Sequence, residues 1–543
     1  MEKALIILLL LSAWISLALA EQASVIHHSI EARISPHSGG LEVKDRLTLP
    51  HDLTHFEFQL HDGLNPEIQQ PGAKLTPHKQ WMSGRVPVQS FQVELASPGR
   101  SVTISYSGVI QYPLGRFSQG HADGRNSTPG LISTQGVFLS ISSYWFPVID
   151  GVLINFYMRL DLPDGWSVIS QGEKGETPNS WHIAKPQNDI YLIAGTYQVY
   201  QKETAVADAQ VYLHNPDPSL AKNYLEATEH YLSLYQQLLG DYPYSKFALV
   251  ENFWESGYGM PSFTLLGPRV IRLPFIINSS YPHEILHNWW GNGVYVDYAS
   301  GNWSEGLTSY LADHLIKEQQ GKGSDYRHNT LKNYANYVAD EEDFPLNEFR
   351  GHHSQISQIS QISQAVGYGK TLMFFHMLRL QLGDSRFIEG LRHFYRENRF
   401  LFAGFSDLQT SFETVSGTNL KNEFKQWTNR PGAPSLKLSL ASVTRSDSGY
   451  RLKARLSQSQ SGTPFKLRVP IFIQLDGEEL PLQQTLVMNG KNLDIDIPLK
   501  KRPLRLSIDP LFDLFRQLDS SENPSTLGQL FGAKRLTIIT PCQ

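Results

Sequence analysis

The sequence predicts a multidomain α+β protein with an N-terminal antiparallel β domain, a mostly helical middle domain and a small C-terminal β-sandwich. Three observations carry this. The chain has 543 residues, more than one ordinary domain holds, so two or three are expected. Apolar residues alternate with polar ones up to about residue 205 and again after 435, the period of half-buried strands. Between those limits they recur every three or four positions, the period of helices.

Taken in order, residues 1–20 read as a signal peptide. Lys3 precedes an apolar run that ends in Ala18-Leu19-Ala20 before Glu21, a short hydrophobic core with a small-residue cleavage site, so the predicted cut follows Ala20. Residues 21–205 form the β domain, with strands expected at 41–49, 56–60, 101–106 and 191–200 between Gly and Pro clusters. Residues 206–434 form the helical domain. It opens on Tyr224, Leu225, Thr228, Tyr231, Leu232, Tyr235 and Leu239, a long amphipathic helix stopped by Gly240. Residues 435–515 return to alternation, with Asp476-Gly477 as a hairpin turn. Residues 516–543 are a tail, in which 526–531 and 536–540 resemble the start of a further unit. The tract 354–364 repeats Ser-Gln-Ile and reads either as a rim loop or as a low-complexity insertion.

Composition excludes several functions. A net charge of −5 with mixed signs gives no basic stripe for nucleic acid and no polybasic face for a membrane. No segment after residue 20 reaches the roughly 20 apolar residues of a spanning helix, so no membrane span is expected once the signal is removed. Cys542 is the single cysteine and cannot form an internal disulfide, which fits a periplasmic or secreted chain of the bacterial kind. Oligomeric state is not legible.

One motif dictates a chemistry. His283-Glu284-Ile285-Leu286-His287 follows Ser279, Ser280 and Pro282, whose hydroxyls and ring suit a helix start, and precedes Gly291 and Gly293, which suit a stop. Residues four apart on a helix sit about 40° from one another around the axis and about 6 Å along it, so both imidazoles point into one site. Glu284 lies roughly 100° round, near enough to act as general base on a metal-bound water. A hydrolytic zinc takes three protein ligands, and Glu305, in the first turn of a helix beginning near Asn302 or Ser304, is the candidate third. Glu305 also suits the N3 partner of an Asn302 cap. Asp297 and Asp313 are weaker candidates, because their spacing matches no zinc arrangement. The adjacent pairs His27-His28 and His352-His353 read as solvated loop residues, and His376 as a core histidine.

The run from His283 through Asn288-Trp289-Trp290-Gly291-Asn292, with Trp303-Ser304-Glu305-Gly306 and Tyr310, resembles the gluzincin metallopeptidases related to aminopeptidase N and leukotriene hydrolase. Tyr368-Gly369-Lys370 is similar to that family's Tyr-x-Lys element, and the stretch from Phe424 to Pro434 to the end of its catalytic domain. The resemblance covers roughly residues 22–515. It implies a thermolysin-like catalytic domain, one Zn2+ per chain, a peptide substrate, Tyr368 as oxyanion donor, and a substrate-binding strand at Gly259 and Met260. Two departures bear on function. The 17 residues between His287 and Glu305 are one fewer than the family's usual interval. Pro261 and Ser262 stand where the family's strand continues into a glutamate that grips the substrate's α-amine, which leaves Glu255 as the nearby candidate for that role. The sequence therefore points to an exported, aminopeptidase-like zinc peptidase. Zinc hydrolysis of a non-peptide substrate and a non-catalytic peptide-binding protein remain alternatives.

Overall fold

The computed structural model of the chain describes residues 25–116, 126–338, 343–351, 361–447 and 449–523. The signal segment, the His352-His353 pair, residues 354–360 of the Ser-Gln-Ile tract, the 526–540 segment and Cys542 lie outside the described residues. Among the described residues no helix is long and apolar enough to cross a membrane. Contacts group the chain into two units: residues up to Ser233 with Tyr242–Pro274, and Leu234–Asp241 with everything from Phe275 onward.

The first unit is β-rich. Its largest sheet has eight strands, led by Val25–Ser35, Gly40–His61, Val86–Val109 and Leu153–Asp161. Alternation sets its face: every second residue of Val25–Ser35 is buried, and Ile30, Leu47, Val102 and Ile104 are sealed inside. One pairing departs from the antiparallel expectation, since Val25–Ser35 runs parallel to Leu153–Asp161. The chain supplies the long connection a parallel pair needs between those two strands. The same strand corrects the solvated-loop reading of His27 and His28. His28 is buried, with Nδ1 2.7 Å from Asp45 Oδ2 on Gly40–His61, and His27 Nδ1 lies 2.7 Å from Asn155 Oδ1.

This unit also holds a five-stranded mixed sheet. Asp208–Leu213, Lys246–Glu251 and Phe263–Leu266 run parallel, with Gly257–Met260 antiparallel at one edge. Met260 pairs with Phe263, so Pro261 and Ser262 are the two residues of a tight hairpin. Ser262 takes a left-handed φ of 66°, the conformation that the second corner of a type II turn demands. Buried Lys246 holds it there, with Nζ donating to Ser262 Oγ at 2.8 Å, and burial pushes that amine down to about 7.

The second unit carries helices from Ser280–Leu286 to Lys421–Thr428 and then two three-stranded antiparallel sheets. One sheet is Leu436–Ser446, Gly449–Gln458 and Asn492–Leu499; the other is Leu482–Met488, Leu467–Leu475 and Pro503–Ile508. The described part of the tail, residues 516–523, is anchored to the segment before it. Asp509 and Arg516 are buried and paired at 2.8 Å, and Arg516 also binds Glu522 at 2.7 Å.

Candidate metal centre

The helix Ser280–Leu286 is short, and His287 is its C-cap. The expected hydroxyl cap is absent from its start: Ser279 Oγ donates back to the carbonyl of Phe275 at 2.8 Å. What fixes this helix is its backing. Trp289 and Trp290 are fully buried, Trp289 Nε1 donates to Gly240 O at 3.0 Å, and Trp290 meets Trp303 and Phe394 at 6.1 and 6.0 Å between ring centroids. Trp303 Nε1 donates to Ala403 O at 2.7 Å, which seats the start of the second helix, Ser304–Ser309. Asn302 Oδ1 accepts from Ser304 N at 3.0 Å, but the N-cap of the helix is Trp303, and Glu305 is aimed at the histidines.

His283 Nε2 and His287 Nε2 lie 3.7 and 3.6 Å from the same oxygen, Glu305 Oε2. These separations are too long for hydrogen bonds. They match ligands of a shared ion, since two atoms each about 2.0–2.1 Å from a tetrahedral zinc lie roughly 3.3–3.4 Å apart. Among the described residues His283, His287 and Glu305 form a group that could hold a metal ion, with ligand atoms all within 4.8 Å of one another. Two imidazoles and a carboxylate are the donor set of a hydrolytic zinc.

Both rings are held from behind. His283 Nδ1 is 3.1 Å from Asp313 Oδ2, and His287 Nδ1 is 3.0 Å from Trp290 O. A carbonyl can only accept, so His287 carries its proton on Nδ1 and turns the lone pair of Nε2 inward. Burial works to push the His283 imidazole down, but the Asp313 carboxylate, followed by Glu305 and Glu284, outweighs it and holds the ring well above its usual value. A field that attracts a proton this strongly attracts a divalent cation too.

Asp313, a weaker ligand candidate by its spacing in the sequence, stands behind His283 instead of beside Glu305, which it follows by eight positions, off-phase for an α-helix. It sits in a π turn, Tyr310–His314, which changes that phase. Tyr368 also lies on a π turn, Gln364–Lys370. Gly306 lets the two segments touch, since a Cβ there would meet Thr371 Cβ at 2.3 Å and Tyr368 O at 3.0 Å. Lys370 closes the element from below. It is wholly buried, with Nζ donating to Arg430 O at 2.8 Å and Gly432 O at 3.3 Å, and burial pushes it down to about 8 although Asp343 opposes the shift.

A pocket of about 330 Å3 opens on the cluster, walled by His283, Glu284, Asp313, Tyr368, Tyr326 and Asn333. Burial first, then the charges of Glu305 and Glu284, hold the Tyr368 phenol well above its usual pKa, so it stays a hydrogen-bond donor. The other three sequence candidates belong to the first unit. Gly259 and Met260 are buried on the strand Gly257–Met260. Glu255 is tied to Arg269, with Oε1 accepting from Nε at 2.8 Å and from the backbone N–H at 3.2 Å.

The chain is similar to known proteins. Residues 277–427 match the model of the peptidase family M1 domain. Alanine/arginine aminopeptidase of Saccharomyces cerevisiae is 23% identical over 355 residues, 61% of this chain and 40% of that protein. Aminopeptidase N of Streptomyces lividans is 23% identical over 312 residues, 51% of this chain and 35% of its own length. The chain thus spans less than half of these relatives. A solved M1 zinc metallopeptidase, a mutant from Deinococcus radiodurans, shares the fold with a TM-score of 0.56 at 16% identity, over 76% of this chain and 96% of that one. The matched segment, 277–427, contains all three donors of the cluster, and two imidazoles with one carboxylate suit a single zinc ion, so the chain carries a region similar to the M1 peptidase domain of the aminopeptidase N relatives.

Proposed function

We propose that the chain hydrolyses peptide bonds as an aminopeptidase-like zinc metallopeptidase, with His283, His287 and Glu305 holding the ion. The observation that carries this is the convergence of both Nε2 atoms on one Glu305 oxygen, in the pocket that Glu284 and Tyr368 also line. When bound, zinc supplies Lewis acidity, polarising a substrate carbonyl and acidifying a water in its open position.

The chain's own groups do the rest. Glu284 projects from the same helical turn as His283 and takes the proton from the attacking water, then returns it to the leaving amine. Tyr368 keeps its proton and donates to the oxyanion as charge builds on the former carbonyl oxygen. Asp313 and Trp290 O keep the imidazoles aimed, so their positions are set before substrate arrives. Tyr368→Phe is expected to lower kcat by roughly 10²–10³-fold with KM changed only a few-fold, measured by steady-state kinetics on a peptide substrate.

Pairs of peptides with free and acetylated N-termini test the aminopeptidase reading. Loss of hydrogen bonds to a charged amine, about 1.5–3 kcal/mol, should slow the acetylated partner by roughly 10- to 100-fold. Equal cleavage of both would leave a zinc peptidase that acts within chains, and would remove Glu255 as an amine-binding candidate.

A further inference from the structure

Behind the metal centre a buried polar network joins the π turn Tyr310–His314 to residues 511–513. Arg327, on the helix Gly323–Tyr337, commits its whole guanidinium to it. Nη2 donates to Asp513 Oδ1 at 2.6 Å and Leu511 O at 2.9 Å, Nε to Phe512 O at 3.2 Å, and Nη1 to His314 Nε2 at 2.8 Å. His376, on Thr371–Leu382, bridges the same two segments, with Nε2 3.0 Å from Asp513 Oδ1 and Nδ1 3.2 Å from the Tyr310 hydroxyl.

The hydrogen bonds have a forced direction. Arginine only donates, so His314 must accept at Nε2. Arg379 Nη1 donates to the Tyr310 oxygen at 3.3 Å, which turns the phenol's own hydrogen towards His376 Nδ1, and His376 then gives its Nε2 proton to Asp513. One carboxylate therefore terminates both arms, and it belongs to the segment after the last strand.

The π turn is where this matters. Eight residues along an uninterrupted α-helix, Asp313 would point about 80° away from Glu305, and the surplus residue of a π turn reduces this to about 20°. Such turns are rare in helices and need neighbours that over-determine them. Here the neighbours grip Tyr310 and His314, the first and last residues of the turn, while Asp313 between them reaches His283 Nδ1 at 3.1 Å.

We propose that residues 511–513 are a positioning element of the metal centre: Asp513, acting through Arg327 and His376, holds the π turn in the register that aims Asp313 at His283. This rests on the reading of His283 as a metal ligand. The test is the Zn2+ affinity of the full chain, measured by competition with a chromophoric chelator, for the wild type, Asp313→Asn, Asp513→Ala and the double variant. Asp313→Asn should weaken binding roughly 10- to 100-fold and Asp513→Ala about ten-fold, within the range seen for groups behind a metal ligand. Because both act along one path, the double variant should bind no more weakly than Asp313→Asn alone. A folded Asp513→Ala chain within about two-fold of wild type, or losses that add in full, would overturn the proposal. If Asp513→Ala fails to fold, Tyr310→Phe, which keeps the ring and removes only the hydroxyl, takes its place in the same cycle with the same criteria. A wild-type chain that binds no zinc would strike the metal-centre reading itself, a result distinct from either outcome above.

Discussion

Glu284→Gln is expected to cut peptide turnover by roughly 10²–10⁴-fold while the purified chain keeps one zinc ion. The amide has the size of the carboxylate and preserves the packing of a residue that is only 7% exposed, but it cannot accept a proton at neutral pH. Glu284 is not among the three converging donors, so the metal should remain. Turnover and metal content measured on one preparation check both halves. A variant that retains wild-type turnover would end the general-base assignment and return the non-catalytic binding reading to favour. A variant that loses both activity and zinc would place Glu284 in the coordination set instead.

Glu305→Ala should have the opposite signature: loss of zinc first, and of turnover as its consequence. The carboxylate is fully buried and supplies the oxygen on which both imidazoles converge. Its removal leaves two neutral nitrogens and no anionic ligand. Zinc in a structural site of four ligands is held by about 10–16 kcal/mol, so one ligand's share predicts a loss of affinity of at least about 100-fold. Elemental analysis after dialysis should then find well under one zinc per chain. Retention of stoichiometric metal would show that another acid completes the site.

How far the sequence reached is best seen residue by residue. His283 and His287 share a face because they are four apart on a helix, and Glu305 joins them from the first turn of the next one, so regular periodicity is enough to foresee their convergence. Asp313 reads in the sequence only as a weaker ligand, and its place behind His283 goes unforeseen because a π turn breaks that regularity and no residue pattern announces one. Tyr368 was legible only through the family resemblance, since nothing in Tyr-Gly-Lys distinguishes it from 23 other tyrosines. Lys370 could have drawn notice as a lone charge in an apolar run, but its partners are carbonyls some 60 residues away. Residues 516–523 read as tail because no apolar alternation marks them, and Arg516 is buried there by its ion pairs with Asp509 and Glu522. His28 was misjudged for a related reason: strand alternation puts one histidine of an adjacent pair inside, and Asp45, which receives it, is on the next strand.

The clamps behind the two imidazoles decide when, in the life of the molecule, the ion arrives. With His283 fixed by Asp313, and His287 fixed by the Trp290 carbonyl, their rotamers are settled by folding, and loading need not order them again. Buried tryptophans just after the first helix, Trp289 and Trp290, and just before the second, Trp303, supply cohesion of their own. A zinc finger collapses around its ion, whereas this socket is expected to form first and be filled afterwards. Loading is therefore expected to be a reversible late step, and a chelator should yield an inactive but folded chain.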